Sequence, residues 1–377
     1  MPLVLRGNAT VYDYLVVGAG LAGSTIAERL ATTQDATVLV VDRRDHVAGN
    51  AHDDAFIDGL QYHAYGPHIF HTNSQRVVDY LSQFTSWRPY EHRVLSRVAG
   101  KLVPMPINRT TINRLFDTEL DEAGIERFLN GRAERFPRID NSEQMIRSRI
   151  GTELYRAFFR GYTRKQWGRD PSQLDASVCG RIPTRTGDDD RYFSDDFQAM
   201  PSEGYTAMVR RMLDQPTIDV RLGVDYRDVA KTVQARHTVF TGPIDEYYKY
   251  RYGRLPYRSL SFEFETVPVP QLQEAACINE PDEQIPYTRT TEYKFLTGQR
   301  APRTIVSREY PGADGDPFYP IPCAESRELY QRYATLAKNE ANVTFAGRLG
   351  EYKYFNMDQV VASALGKVET LARNEVA

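Results

Sequence analysis

The stretch Val16-Val17-Gly18-Ala19-Gly20-Leu21-Ala22-Gly23 decides the fold of the region around it. It completes a short apolar run, Tyr12–Val17, and is followed by a segment of helical character, Ser24–Ala31. A second run rich in β-branched residues, Ala36–Val41, comes next. A strand, a glycine-rich turn, a helix and another strand in this order predict a β–α–β unit with parallel strands.

Gly18, Gly20 and Gly23 form a GxGxxG pattern in this setting. The first glycine permits the tight turn, the second lets the backbone approach a pyrophosphate, and the third packs the helix on the strand. The diphosphate then lies at the helix N-terminus, where free N–H groups and the helix dipole favour negative charge. Asp42 follows the second strand and is placed to accept from ribose hydroxyls, which disfavours NADP. We therefore predict a dinucleotide site here.

The residues after Asp42 distinguish FAD from NAD. Arg43-Arg44 and then Ala48-Gly49-Asn50 continue the chain, an order that resembles the large flavoprotein class that includes amine oxidases and that NAD dehydrogenases lack. The strand before Gly347 and a helix beginning at Asp358 also resemble this class, whose last helix stabilises negative charge on a reduced flavin. We therefore predict FAD. Its predicted binding residues are Gly18, Gly20, Gly23, Asp42, Arg43, Gly49, Asn50, His68, Gly347, Arg348, Met357 and Asp358.

Composition excludes several classes of protein. The net charge of −3, with no compensating Lys/Arg cluster, argues against nucleic-acid binding. No run of 18 apolar residues exists, so we expect no membrane span. The N-terminal MPLVLRGNATVYD is too short and too poor in apolar residues for a secretory signal. Cys179, Cys277 and Cys323 lie far apart without a CxxC pair, which predicts a reducing cytoplasm.

Histidines raise the question of a metal. His52, His63, His68 and His71 lie close together in sequence, but no HExxH pattern or cysteine pair completes a site. We therefore predict no metal.

Local patterns predict the remaining elements. Helices are expected at Gln75–Phe84, over most of Thr110–Phe159 and at Asp358–Arg373, and a hairpin at Arg93–Val103 around Ala99-Gly100. Strands are expected at Val220–Leu222, His237–Thr241, Arg258–Val267, Arg303–Arg308 and Asn342–Ala346. Thr163–Pro201 is polar, with prolines and three consecutive aspartates, and is predicted to be one long loop.

These elements predict an α/β protein of 377 residues, too long for one core. We expect a discontinuous FAD-binding Rossmann-type (GR2-like) domain, an inserted helical domain with a mobile lid loop at 168–195, and an antiparallel β-sheet domain. The FAD-binding domain takes residues 1–75, 202–250 and 335–377, the helical domain 110–200, and the sheet domain 76–109 and 251–334.

Several longer blocks narrow the class further. Tyr65–Thr72 (YGPHIFHT), Gly161–Trp167 (GYTRKQW), Arg191–Asp195 (RYFSD), Tyr287–Arg289 (YTR) and Gly347–Gly350 (GRLG) resemble, in order, segments of the bacterial UDP-galactopyranose mutases. Taken together with the N-terminal fingerprint, the resemblance covers nearly the whole chain.

The resemblance implies an isomerase that interconverts pyranose and furanose forms of a nucleotide-linked galactose. Such enzymes use reduced FAD without net redox change: flavin N5 attacks the anomeric carbon, the nucleoside diphosphate leaves, and the sugar recloses on the resulting adduct. The resemblance also implies an external reductant such as NAD(P)H, a homodimer and a cytoplasmic location.

The resemblance further implies roles for particular residues. Arg181 and Arg258 match the two arginines that bind the diphosphate, because a guanidinium fork fits phosphate oxygens. The lid would close over the site and exclude water. The residues implied as catalytic are Arg181, Arg258, His68 and Asn356. Those implied in substrate binding are Phe158, Phe159 and Tyr162 as a nucleobase platform, Trp167 over the sugar, Tyr192, Tyr319 and Tyr354 on the diphosphate, Arg289 and Glu309 near flavin and sugar, and Arg114 and Asn279.

Four positions depart from the family's pattern. Asn356 stands where the family usually has Asp, and Arg114 stands where Gln is common. Asp188 stands where an aromatic lid residue is usual, and Pro256 replaces a glycine beside Arg258. A cation with five donors at Arg114 suits a purine's N7 and carbonyl better than uracil. We therefore expect a shifted substrate, such as a GDP-linked galactose, with UDP-galactose as the alternative.

Two other functions stay open at this point. An ordinary flavin oxidoreductase of the amine-oxidase class would start from oxidised flavin and would not need the two diphosphate arginines. A non-catalytic nucleotide-sugar or flavin-binding protein would keep those arginines and show no turnover.

Overall fold

The computed structural model describes residues 11–376, with side chains to residue 373. Residues 1–10, which hold most of the segment considered as a secretory signal and the start of the predicted FAD-binding domain, lie outside the described residues, as does Ala377. Between residues 11 and 376, no helix combines the length and the apolar composition needed to cross a bilayer.

The strands are β1 (Val11–Val17), β2 (Val38–Val41), β3 (Ala55–Ile57), β4 (Leu60–Tyr62), β5 (Phe70–Thr72), β6 (Trp87–Pro89), β7 (Val94–Val98), β8 (Lys101–Met105), β9 (Phe197–Pro201), β10 (Ile218–Arg221), β11 (Gln234–Phe240), β12 (Tyr257–Val267), β13 (Cys277–Asn279), β14 (Arg289–Glu292), β15 (Thr304–Gly312), β16 (Tyr319–Pro320) and β17 (Val343–Phe345).

The helices are α1 (Leu21–Gln34), α2 (Gln75–Leu81), α3 (Arg109–Phe116), α4 (Glu122–Asn130), α5 (Ser142–Leu154), α6 (Gly161–Trp167), α7 (Ala176–Gly180), α8 (Tyr205–Leu213), α9 (Tyr226–Val229), α10 (Ile244–Tyr247), α11 (Tyr293–Thr297), α12 (Ala324–Ala337), α13 (Gly347–Gly350) and α14 (Met357–Val376). A π-helical turn, Tyr155–Arg160, joins α5 to α6.

A five-stranded parallel sheet holds the glycine-rich turn at its carboxyl edge. Its strand order is β10-β2-β1-β11-β17, and all neighbouring pairs are parallel. It gathers strands from all three segments assigned to the FAD-binding domain. The four residues of β2 are wholly buried, as expected for a central parallel strand covered on both faces. Because parallel strands end at one edge, Gly18, Asp42, Thr241 and Gly347 are brought close together there.

A second sheet is mainly antiparallel and carries side chains toward the same region. Its order is β16-β12-β15-β14-β13-β7-β8, and only the β13–β7 pair is parallel. The hairpin predicted around Ala99-Gly100 is present as β7 and β8, with both turn residues at positive φ as a tight hairpin turn requires. The division into three domains stays a prediction; α2, placed by it in the sheet domain, packs against α14 and β5.

The helical segment between β8 and β9 agrees with the sequence prediction as far as Phe159, but the predicted long loop after it was wrong. Within residues 163–201, α6 continues to Trp167, α7 lies inside the proposed lid, and β9 pairs with β5 and β6. The prediction missed β9 because its ladder partners are more than a hundred residues away in sequence. It missed α6 and α7 because short polar helices have almost no apolar periodicity of their own.

Candidate active site

A large cavity opens at the carboxyl edge of the parallel sheet. It encloses about 1290 Å³ of space not filled by protein atoms. Of the predicted FAD-binding residues, all except Gly23 and Asp358 line it. Thr241, Pro317 and Phe318 also line it, and the sequence analysis did not identify them. The cavity therefore unites turns from the β1, β2, β11 and β17 ends with a loop of the second sheet.

Each of the three glycines in the GxGxxG pattern suits its position for a different geometric reason. Gly18 has φ +108°, and a Cβ there would lie 2.0 Å from the Thr241 Oγ1. A Cβ on Gly23 would lie 1.9 Å from the Gly18 carbonyl oxygen, so Gly23 permits the contact of α1 with β1. Gly20 lines the cavity at ordinary φ, and a Cβ there would meet nothing closer than 3.7 Å. At Gly20, therefore, the protein itself leaves room for a side chain, and the open space faces the cavity.

Asp42 organises the turn beside the glycines. Its two carboxylate oxygens accept from the backbone N–H of Ala19 (2.8 Å) and of Arg44 (2.9 Å). Each oxygen keeps a further lone pair for a ribose hydroxyl. The Arg44 guanidinium donates to Asn50 (2.9 Å) and, with Arg43, meets Asp316 at 3.2 Å. Asp316 thus fastens a loop of the second sheet across one end of the cavity.

The N-terminus of α14 lies at the wall of the cavity. Met357 and Val360, in its first turn, line the cavity, so free N–H groups of the helix lie near it. Asp358 does not line the cavity. One of its carboxylate oxygens accepts from the Thr72 hydroxyl (2.9 Å), and the other is buried with no hydrogen-bond partner among the described residues.

His68 lines the cavity as a neutral ring. Its Nδ1 lies 2.9 Å from the Gly66 carbonyl oxygen, and its backbone N–H donates to the His63 Nδ1 at 3.1 Å. Burial lowers the pKa of His68 to about 3, and that of His63 likewise. Neither ring carries charge near neutral pH, so neither provides a cation for a bound ligand.

The buried imidazole of His63 gives a testable pH dependence. The folded pKa lies below the unfolded value, so the folded state binds fewer protons below pH 6.5 and loses stability as the pH falls. The loss is about 1.4 kcal/mol per pH unit down to about pH 3. His63→Gln keeps an acceptor for the His68 N–H but does not titrate. We expect its melting temperature to fall less than that of the wild type between pH 7 and pH 5; equal falls would contradict the prediction.

A cluster of aromatic hydroxyls and guanidinium groups lies next to Trp167. The Trp167 ring lies 5.5 Å from that of Tyr354 and 6.1 Å from that of Tyr319, centroid to centroid, and the two tyrosines are 5.6 Å apart. Arg348 reaches from the cavity wall and lies 5.3 Å from the Tyr319 ring centroid. Tyr162 and Tyr192 lie in the electrostatic environment of Arg289. The cluster thus adjoins the cavity through Arg348.

Arg181 enters this cluster from the lid. It follows α7, and its Nη1 donates to the Tyr354 hydroxyl at 2.8 Å. Burial raises the pKa of the Tyr354 phenol, but the positive charges of Arg181 and Arg348 outweigh burial, and the net pKa lies below the ordinary value. A phenol whose pKa is lowered in this way is a stronger hydrogen-bond donor to an anion.

Arg258 lies buried at the beginning of β12, opposite Tyr319 of β16. Its Nε donates to the Gln166 carbonyl and its Nη2 to the Lys165 carbonyl, both at 3.0 Å. Among the described residues, neither Arg258 nor Arg181 makes an ion pair with a carboxylate. Burial lowers the Arg258 pKa, because nothing negative compensates for the desolvation. Two cations without a carboxylate partner therefore flank Trp167, Tyr319 and Tyr354.

Arg289 forms an ion pair with the buried Glu309 on the second sheet. They are register partners on β14 and β15, with an Nη2–Oε1 distance of 3.2 Å, and Glu309 also accepts from the Thr288 hydroxyl (3.1 Å). Asn279, buried on β13, is the register partner of Arg289 on its other side. The Arg289 Nε is buried with no hydrogen-bond partner among the residues described. The Arg289–Glu309 ion pair therefore leaves this guanidinium N–H unpaired inside the protein.

Other predicted substrate residues lie differently. Phe158 and Phe159 are buried in the apolar core that also contains Trp167, and so expose no ring for stacking in this structure. Arg114 is exposed in the last turn of α3, and no contact in the described part of the chain links its side chain to the cluster. Asn356 precedes α14, and its backbone N–H donates to the Gln359 side chain at 2.9 Å.

The lid segment is fastened to the helical region by its acidic tip. Both Asp188 carboxylate oxygens accept from Arg109, with the Nε contact at 2.7 Å, and Arg93 Nε lies 2.9 Å from Asp190. These pairs are exposed, so water and salt screen them and each holds the segment only weakly. Asp188, which departs from the family's pattern, thus ties the 168–195 segment to α3, and no contact among the described residues links it to the aromatic cluster.

Comparison with known proteins decides the family. The family model described as UDP-galactopyranose mutase matches residues 157–354, and the NAD(P)-binding Rossmann-like domain matches residues 16–84. The chain is 41% identical over 361 residues to a probable UDP-galactopyranose mutase of Klebsiella pneumoniae, covering 94% of this chain and 93% of that relative. The chain belongs to the UDP-galactopyranose mutase family. It is therefore a nucleotide-sugar pyranose mutase by family, and an isomerase.

A second curated relative and two solved structures are also similar to this mutase. It is 32% identical to a dTDP-fucopyranose mutase of Escherichia coli over 371 residues, covering 96% of this chain and 98% of that relative. A crystal structure of reduced UDP-galactopyranose mutase aligns with a TM-score of 0.79 at 16% identity, over 96% and 95% of the two chains. A putrescine oxidase aligns with a TM-score of 0.60 at 13% identity, over 97% and 99%. The predicted family and fold class are confirmed.

Proposed function

We propose that this mutase binds FAD in the cavity and, with the flavin reduced, interconverts the pyranose and furanose forms of a nucleotide-linked galactose. One observation carries the proposal: Arg181 and Arg258 lack carboxylate partners and flank an aromatic cluster that adjoins the cavity through Arg348. A nucleoside diphosphate is the anion that such a pair of forks fits. The diphosphate leaves the anomeric carbon and later returns to it, so the cations that bind it must stay in place.

The cavity fits FAD on its own geometry. The Gly20 position leaves the backbone open toward the cavity, Asp42 keeps free lone pairs at the β2 end, and the first turn of α14 lines the cavity. These suit a pyrophosphate, a ribose and the anionic end of a reduced isoalloxazine, respectively. When bound and reduced, the flavin supplies the nucleophile for the anomeric carbon.

The chain's own groups hold and shield the substrate. Arg181 and Arg258 bind the diphosphate, and the Tyr354 hydroxyl donates to it. Neutral His68 keeps its ring against the cofactor without adding a charge that would compete for the diphosphate. The lid, docked through Asp188, excludes water during the reaction. The external reductant, homodimer and cytoplasmic location stay predictions from the family resemblance.

UDP-galactose is the first substrate to test. The relatives named UDP-galactopyranose mutase support it. A GDP-linked galactose is the second candidate, favoured by the guanidinium at Arg114, but that side chain is exposed and lies apart from the aromatic cluster. If Arg114 does not contact the base, Arg114→Gln will leave the ratio of kcat/KM values for the two nucleotides within about twofold.

Turnover should depend on the redox state of the flavin. We expect dithionite-reduced holoenzyme to convert UDP-galactose to the furanose isomer and oxidised holoenzyme to be silent, with chromatography separating the isomers. Oxidation of a substrate by oxidised FAD, with bleaching of the flavin and no furanose isomer, would instead show an oxidoreductase of the amine-oxidase class. No turnover in either state with UDP-, GDP- or dTDP-hexoses, despite tight UDP binding, would show a binding protein.

A further inference from the structure

Lys165, in the last turn of α6, makes an unusual set of contacts. Its ammonium group lies within hydrogen-bond distance of four backbone carbonyl oxygens: those of Glu280 (2.6 Å), Asp282 (2.8 Å), Ile285 (2.9 Å) and Tyr287 (2.8 Å). An ammonium has three protons, so all of them are directed into the 280–287 loop. Burial lowers the Lys165 pKa to about 8, which shows how far the group is withdrawn from water. Lys165 therefore fixes the shape of this loop.

The 280–287 loop leads directly into the Arg289–Glu309 pair. Immediately after Tyr287, the Thr288 N–H donates to the Glu309 carbonyl at 2.9 Å, and its hydroxyl donates to the Glu309 carboxylate. Arg289 then pairs with the same carboxylate. A shift of the loop would thus be passed to Arg289 within two residues.

The main chain of Lys165 holds a second arginine. Its carbonyl accepts from Arg258 Nη2, and the next carbonyl, that of Gln166, accepts from Arg258 Nε, both at 3.0 Å. The same helix abuts the loop closely: a Cβ on Gly161 would lie 2.2 Å from the Pro281 carbonyl oxygen. One residue therefore joins Arg258, through its carbonyl, to Arg289, through its ammonium group.

We propose that Lys165 is a positioning residue: it holds α6 and the 280–287 loop in one geometry and so places Arg258 for the nucleoside diphosphate and Arg289 for the sugar beside it. The inference rests on the proposed function, since it assumes that Arg258 binds the diphosphate. Four converging carbonyls suit the tetrahedral ammonium group, whereas the planar fork of arginine cannot reach all of them. Methionine would keep the approximate length of the side chain and remove every donor.

The test measures UDP affinity of the FAD-loaded protein by calorimetry. We expect Lys165→Met to weaken UDP binding at least about tenfold while the flavin spectrum stays unchanged. Lys294→Met is the matched control, because the Lys294 ammonium also donates to three backbone carbonyls, those of Pro270 (2.8 Å), Ala301 (2.6 Å) and Arg303 (3.2 Å), and none of these residues contacts Arg258 or Arg289 in the described part of the chain. It should lower the melting temperature and leave UDP affinity within about twofold.

A double-mutant cycle separates positioning from general stability. If Lys165 acts through Arg258, the double mutant will lose clearly less UDP affinity than the product of the fold-losses of Lys165→Met and Arg258→Lys. A fully multiplicative loss, or unchanged affinity in Lys165→Met, would overturn the inference. If Arg258→Lys alone leaves UDP affinity unchanged, the proposed diphosphate role of Arg258 fails instead.

Lys165→Arg covers the case in which the methionine variant does not fold. It keeps the charge and some donors, so we expect folded, flavin-loaded protein with UDP affinity reduced at least about threefold. Wild-type affinity in this variant would count against the geometric requirement and overturn the inference.

Discussion

Arg258→Ala is expected to lose about 10²- to 10³-fold in kcat/KM with the preferred nucleotide sugar, the range for removing one donor to a developing anion. The diphosphate gains negative charge as it leaves the anomeric carbon, so a buried cation stabilises the departing state more than the bound substrate. Arg258 is withdrawn from water and has no carboxylate to share its charge among the described residues. Its full charge is therefore available to the ligand.

The measurement is steady-state turnover of reduced enzyme, with flavin content and melting temperature recorded in parallel. Arg258→Ala also frees the carbonyls of Lys165 and Gln166, so a fold defect must be distinguished from a lost charge. Arg258→Lys keeps a cation and should lose less. Arg254→Ala is the control from the same segment, since Arg254 is exposed and stacks over Tyr250 at 4.0 Å. Normal kcat/KM in folded, flavin-loaded Arg258→Ala would refute the assigned role.

The cofactor half of the site could be predicted because its determinants are local in sequence. A glycine turn between a strand and a helix has one geometry, and Gly18, Gly20 and Gly23 occupy the places that this geometry requires. The same holds for Asp42 at the end of β2. The hairpin at Ala99-Gly100 was predictable for the same reason, since its turn residues specify their own backbone conformation.

The proposed substrate half of the site depends on contacts between segments that are distant in sequence. In the sequence, the proposed diphosphate role of Arg258 rests only on the family resemblance, because its isolation from carboxylates is a property of the folded chain. Lys165 looks like any surface lysine until α6 meets the 280–287 loop more than a hundred residues later. Arg114 shows the reverse case: the argument about its side chain requires a position near the base, the structure leaves that side chain exposed in α3, and its role stays a prediction.

Gly23→Ala and Gly20→Ala are expected to abolish or greatly weaken FAD binding for different physical reasons. An alanine Cβ at Gly23 would lie 1.9 Å from the Gly18 carbonyl oxygen and 3.1 Å from the Val16 Cγ1, and backbone cannot rotate away as a side chain would. Overpacking of this kind costs about 1–3 kcal/mol, or more where backbone must shift. We therefore expect Gly23→Ala to lower the melting temperature of the apoprotein and to weaken FAD binding about 10- to 100-fold.

Gly20→Ala separates cofactor contact from folding. A Cβ there meets no protein atom closer than 3.7 Å, and the residue's φ of −80° suits alanine, so the apoprotein should melt as the wild type does. The added methyl would nevertheless occupy the approach of the pyrophosphate to the α1 N-terminus, and titration of apoprotein with FAD should show at least about tenfold weaker binding. Gly366→Ala, within α14 and with open space around it, controls for the substitution itself. If Gly20→Ala binds FAD as the wild type does, the pyrophosphate does not lie against this turn, and the cavity holds its cofactor in another way.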